Sequence, residues 1–223
     1  MRKCYSAALM FLLGLPVWAG STSVISVDTT DSSSIGGYSV DSTDVLAVAW
    51  TQTVGITGDV SVNFQTGFFD TSGTLYAYLT DSIGSGTTQL GNEIANTTFA
   101  SPDPLDGPVW INVFGGIQLN PGFYYLTIGS LDSTSGGWSA TSDPTVTVTP
   151  GFFLGDLVTG SQFWASGSDV AAYLPASNFS PQPTVADGGG PDLMFDVSVP
   201  EPSTIWLLGG ALWFALLRRK RSA

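Results

Sequence analysis

Val45-Leu46-Ala47-Val48-Ala49-Trp50-Thr51-Gln52-Thr53 is a near-continuous apolar run ending just beyond Trp50. It has the length and composition of a buried central strand. Beyond it, Val60, Val62 and Phe64 alternate with Ser61, Asn63 and Gln65, so the apolar set falls on one face of a half-buried strand. Leu75, Ala77 and Leu79 alternate with Tyr76 and Tyr78, so that strand is apolar on both faces. Val109 to Phe114 and Phe123 to Ile128 continue the series, with further strands expected at Thr145 to Thr149, Val170 to Leu174 and Leu193 to Val199.

Turn residues separate these runs: Thr71-Ser72-Gly73, Gly84-Ser85-Gly86, Asn120-Pro121-Gly122 and Ser135-Gly136-Gly137. No segment between Gly20 and Val199 has the capped, 3.6-residue periodicity of a helix. The expected fold class is therefore all-β: an antiparallel β-sandwich of jelly-roll type, in which two sheets bury their apolar faces against each other. Two small stacked sandwiches are the alternative. Residues 45–199 form this body. Residues 20–44, rich in Ser, Thr and Asp, read as an entry strand followed by a loosely packed loop.

The charges are segregated. All six basic residues, Arg2, Lys3, Arg218, Arg219, Lys220 and Arg221, lie near the two ends. From Gly20 to Val199 there is no Lys, Arg, His or Cys, while sixteen Asp and Glu93 give a formal charge of −17. Nucleic acid is excluded as a partner, because its phosphates are bound through Lys and Arg. Hydroxyl-rich neutral polymers and divalent cations remain compatible with such a surface.

Met1-Arg2-Lys3-Cys4, then an apolar run from Ala7 to Leu15, then Pro16-Val17-Trp18-Ala19 have the three parts of a secretory signal, with a cleavage point after Ala19. Residues 1–19 are thus expected to form a signal helix read by Sec-type export machinery. Cys4 would leave with the signal, so no disulfide framework is expected in an exported product.

At the other end, Val199-Pro200-Glu201-Pro202-Ser203-Thr204 precedes an apolar run from Ile205 to Leu217 and the cluster Arg218-Arg219-Lys220-Arg221. As a helix the run reaches about 20 Å, short of the ~30 Å hydrocarbon core unless it extends back to Pro202 and the arginines snorkel. The basic cluster would place its end in the cytoplasm and the acidic body across the membrane.

Residues 200–223 resemble the PEP-CTERM sorting tail of Gram-negative exported proteins, carried by Pro200, Glu201 and Pro202, the short apolar helix and the terminal basic cluster. That resemblance implies recognition by an exosortase, transient anchoring in the inner membrane through the C-terminal transmembrane helix, and delivery to the cell envelope or extracellular matrix. The segment from Val45 to Trp138 also resembles ectodomains found upstream of such tails, through Ala47-Val48-Ala49-Trp50-Thr51, Leu75 to Thr80, Ile83 to Thr88 and Leu119 to Leu126.

Chemistry within the body is restricted. Nucleophilic triads, zinc sites and Schiff-base chemistry need His, Cys or Lys, and none is present there. Only paired-carboxylate work survives, and no pair stands out, so the expectation is a protein that is not an enzyme. Asp28, Asp31, Asp41, Asp44 and Asp192, in turn-rich segments, are the candidate ligands of a structural Ca2+, although none lies in a recognised Ca2+-loop pattern; turn capping is the competing use. Trp110, Trp138 and Trp164 are the candidate stacking platform for an extracellular polysaccharide, against the ordinary use of strand aromatics as core. The sequence thus points to an exported structural or interaction protein, with a carbohydrate-binding module as the alternative.

Overall fold

The structure, a computed structural model, describes residues 20–65, 73–102, 108–155 and 160–200. In chain order the strands are β1 (Ser21–Asp28), β2 (Ile35–Val40), β3 (Asp44–Gln52), β4 (Ile56–Gln65), β5 (Thr74–Thr80), β6 (Glu93–Ala100), β7 (Val109–Leu119) and β8 (Gly122–Gly129). They continue with β9 (Gly136–Thr141), β10 (Thr145–Val148), β11 (Phe152–Leu154), β12 (Gln162–Ser166), β13 (Ser180–Pro181), β14 (Asp192–Leu193) and β15 (Phe195–Pro200). The one α-helical turn among the described residues is Gln89–Asn92, capped by Thr88. The expected all-β class holds.

The strands form two antiparallel sheets. In the first, β10, β1, β15, β4 and β7 lie side by side: Val60 pairs with Val197 of β15 on one edge and Phe114 of β7 on the other. The end of β4 also meets β9, Phe64 opposite Trp138, and β9 carries β2 and β14. In the second sheet the order is β13, β12, β3, β8, β5, β6, with β11 beside the far end of β3. The chain crosses between sheets repeatedly: β3 lies in the second, β4 in the first, β5 and β6 in the second, β7 in the first and β8 in the second.

The opening run behaves as its composition requires. Eight of the nine residues of β3 are buried. Leu46, Val48 and Trp50 face the main core, whereas Ala47 and Ala49 face outward under Phe163. The two sheets meet through rings. Trp50 stacks on Phe195 of the first sheet at 6.0 Å, and Phe64 meets Phe99 of the second edge-on at 5.3 Å. Burying side chains such as Phe64 and Phe195 stabilises the fold by about 1.5–3 kcal/mol each. β5 is apolar on both faces because its outer face is covered too: Tyr78 packs with Val45 and Leu174 in a small second cluster.

Two local expectations are corrected. Val170 to Leu174 is not a strand; it runs from the 3-10 turn Gly167–Asp169 into the 3-10 turn Leu174–Ala176 and covers the outer face of the second sheet. Residues 29–44 are not only a loop, since Ile35–Val40 pairs with β9 along its whole length. Gly36 and Gly37 conceal this strand in the sequence, because they leave no side-chain alternation to read.

Candidate functional site

The sorting residues Glu201, Pro202, Arg218, Arg219, Lys220 and Arg221, the cleavage residue Ala19, and the segments expected to form the two terminal helices lie outside the described residues. Pro200 is described and ends β15, exposed. Among the described residues no helix is long and apolar enough to cross a membrane.

Each of the five candidate Ca2+ ligands accepts a hydrogen bond from the protein itself. The Asp28 carboxylate accepts the Thr29 N–H at 2.8 Å. Asp31 caps the turn Ser32–Ser34, accepting the Ser33 N–H at 2.9 Å and its hydroxyl at 2.6 Å, and these bonds hold its carboxyl below the usual range. One oxygen of Asp41 accepts from Thr43 N, Thr43 Oγ1 and Asp44 N, closing the β2–β3 turn. Asp44 accepts the Trp164 indole N–H at 3.0 Å. Asp192 is buried and accepts Val185 N at 2.9 Å; desolvation pushes its carboxyl up against the opposing Val185 bond, and the nearby Asp187 charge adds to the rise. No group of three potential metal-ligating side chains occurs among the described residues. Asp31 and Asp41 work as turn caps.

The three tryptophans do not form one platform. Trp138 is fully buried, stacks on Phe64 at 6.4 Å and donates its indole N–H to Met194 O. Its candidacy as a stacking residue is corrected: inward alternation on β9 makes it core. Trp110 and Trp164 are 42% and 40% exposed but lie on different sheets, on β7 and β12.

Trp164 sits in a structured place. It lies on β12 between Leu46 of β3 and Ser180 of β13. A shallow cleft there is lined by Tyr38 and Leu193 from the first sheet, and by Leu46, Gln162, Phe163, Trp164 and Gln182. The Gln162 amide stitches the floor: Nε2 donates to Pro183 O at 3.1 Å and Pro191 O at 3.3 Å, and Oε1 accepts Leu193 N at 3.0 Å. The Tyr38 hydroxyl stands against Gly190, where a Cβ would come within 2.7 Å of it. Burial, with the Asp192 charge second, raises the Tyr38 pKa, so the phenol stays a proton donor. Neither its hydroxyl nor the Gln182 amide is bonded among the described residues.

Tyr38, Gln162 and Gln182 escaped the sequence reading. They come from three distant segments, and no local pattern unites them. Trp164 was visible only as one aromatic among several. A second polar group, Tyr173 OH on Glu93 at 3.0 Å, packs edge-on against Tyr78; burial and the Glu93 carboxylate both raise the Tyr173 pKa.

The fold and charge pattern define an acidic, two-sheet β body with all its basic residues outside it. The family model of the PEP-CTERM protein-sorting motif matches residues 198–221. The chain carries this motif, the mark of an exosortase substrate directed to export and to the cell envelope or surface. No curated protein and no solved structure matches the chain.

Proposed function

We propose that this is an exported cell-surface or extracellular-matrix protein whose body is a non-catalytic structural or interaction module. The observation that carries this reading is the sorting motif at residues 198–221 behind a body without Lys, Arg, His or Cys. In this reading the Sec-type machinery takes the chain by residues 1–19. The apolar run Ile205 to Leu217 then holds it in the inner membrane until exosortase acts near Pro200, Glu201 and Pro202.

We read the winding of the body as a jelly roll, an arrangement that suits a structural module by limiting exposed strand edges. Eight strands run in the orders β1-β15-β4-β7 and β3-β8-β5-β6, and the first and last of them in sequence are neighbours. Mass spectrometry of both termini of the native protein, with cell fractionation, tests the sorting. The expected surface form lacks residues 1–19 and the cluster Arg218 to Arg221; an intact C-terminus through Ala223 in that form contradicts it.

One observation favours a second reading, carbohydrate binding: an exposed indole, that of Trp164, in a cleft with polar groups that are unbonded among the described residues. Pull-down on insoluble polysaccharides tests it, and retention by none of them removes it.

A further inference from the structure

We infer that the cleft between Trp164, Tyr38 and Gln182 is a subsite for a neutral saccharide chain and selects against anionic ones. This rests on the carbohydrate reading above and names its site and ligand charge.

The argument begins with the ring. Trp164 is anchored at its polar edge, because its N–H is spent on Asp44 Oδ1. What it offers to solvent is therefore apolar ring surface held in a fixed orientation, which is what the C–H face of a pyranose packs against. Leu46 and Leu193 line the cleft beside the ring and add apolar surface to it. Sugars also need directional partners, since their hydroxyls must exchange water bonds for protein bonds. The Tyr38 hydroxyl supplies a donor, and the Gln182 amide supplies both a donor and an acceptor. The Gln162 amide takes no part: its three bonds leave its nitrogen and oxygen committed.

Charge sets the class. Asp44 stands behind the indole, Asp192 lies near Tyr38, and residues 20–199 contain no cation. A uronic-acid chain would bring carboxylates to a site that has nothing to neutralise them. A neutral chain meets no such opposition.

The test uses the full-length chain in a zwitterionic detergent, titrated with a neutral β-1,4-glucose hexamer and, separately, with a galacturonic acid hexamer. The indole 15N–1H resonances and titration calorimetry are the readouts. The neutral hexamer is expected to shift the Trp164 indole signal, and the acidic hexamer to leave it in place. Trp164→Ala is expected to weaken binding by about tenfold or more, with Trp164→Phe restoring part of it, and Tyr38→Phe to weaken it about threefold. Trp110→Phe, on the other sheet, should bind as the parent does. Binding lost in Trp110→Phe but unchanged in Trp164→Ala overturns this site while keeping the carbohydrate reading. Equal binding of the acidic hexamer overturns the charge selection. Binding of neither hexamer overturns the subsite as assigned, whereas retention on another polysaccharide in the pull-down would still keep the carbohydrate reading.

Discussion

Trp138 donates its indole N–H to the carbonyl of Met194 across 2.9 Å, tying β9 to the bend between β14 and β15. The same carbonyl accepts the Asn63 N–H at 3.2 Å, and Met194 N donates to Ser139 O at 2.9 Å. One residue therefore holds three strands of the first sheet at the point where the sheet branches. Large aromatics with a polar tip suit such junctions, since the ring fills the core while the N–H satisfies an irregular carbonyl.

Trp138→Phe should accordingly destabilise the protein by about 2–4 kcal/mol, through lost ring volume and a lost buried hydrogen bond. At this chain length that corresponds to a fall in Tm of roughly 5–15 °C. Trp110→Phe, on a half-exposed ring, should change stability by about 0.5 kcal/mol or less. Thermal unfolding of the two variants side by side checks the contrast, and equal losses would contradict the assignment of Trp138 to the core.

The β2–β3 turn depends on a single carboxylate oxygen. Asp41 Oδ1 accepts Thr43 N at 2.6 Å, Thr43 Oγ1 at 2.8 Å and Asp44 N at 2.9 Å. Asp41→Ala should cost about 1 kcal/mol, as loss of a capping side chain does, and Asp41→Asn less, because an acceptor remains. Urea unfolding measures both. A loss equally large in Asp41→Asn would mean that the negative charge, not the acceptor geometry, supports the turn.

Gly58 marks the irregular register between β4 and β7. A Cβ there would run into the backbone carbonyl of Ser198 on β15, a group that cannot swing aside. Gly58→Ala should therefore cost about 1–3 kcal/mol by forcing the strands apart. At Gly115 a Cβ would meet only Asn112 Nδ2 at 3.7 Å and Asp59 Oδ1 at 3.8 Å, so Gly115→Ala should be tolerated. Comparing their urea midpoints tests whether the β4–β15 approach is as close as described.

Much of the fold was legible because burial and periodicity coincide in β3, β4, β5 and β8. Val60, Val62 and Phe64 are all fully buried, as their alternation requires. β2 was hidden by its glycines, and β6, Glu93–Ala100, by polar residues on an outward face that alternates with half-buried positions. The segment Val170 to Leu174 misled because its apolar residues cover a sheet face instead of joining a sheet. At the candidate site only Trp164 could be seen in advance. Tyr38 and Gln182 reach it through the winding of the chain, which no local spacing encodes.

Asp196 gives the clearest pH signature. It lies on β15 opposite Ser61 of β4, and desolvation raises its carboxyl above the ordinary 3.8; the Asp28 and Asp59 charges add to this, and hydrogen bonds from Ser23 and Ser198 oppose it. A raised folded-state pKa means the folded protein bears a penalty while the group is ionised. The penalty is full above the folded pKa, shrinks as pH falls through it, and is gone below 3.8, where folded and unfolded chains are both protonated. Asp196→Asn keeps an acceptor for the two serines and removes the charge. It should raise Tm at pH 7, with the gain over the parent fading as pH falls toward 3.5. Asp31 and Asp132, whose carboxyls are held low by Ser33 and by Thr134, act in the opposite sense and lose their stabilisation on acidification. Because both proteins contain them, subtracting one Tm curve from the other isolates Asp196. A difference that does not vary with pH, or a variant less stable at pH 7, would show that the Asp196 charge is well solvated.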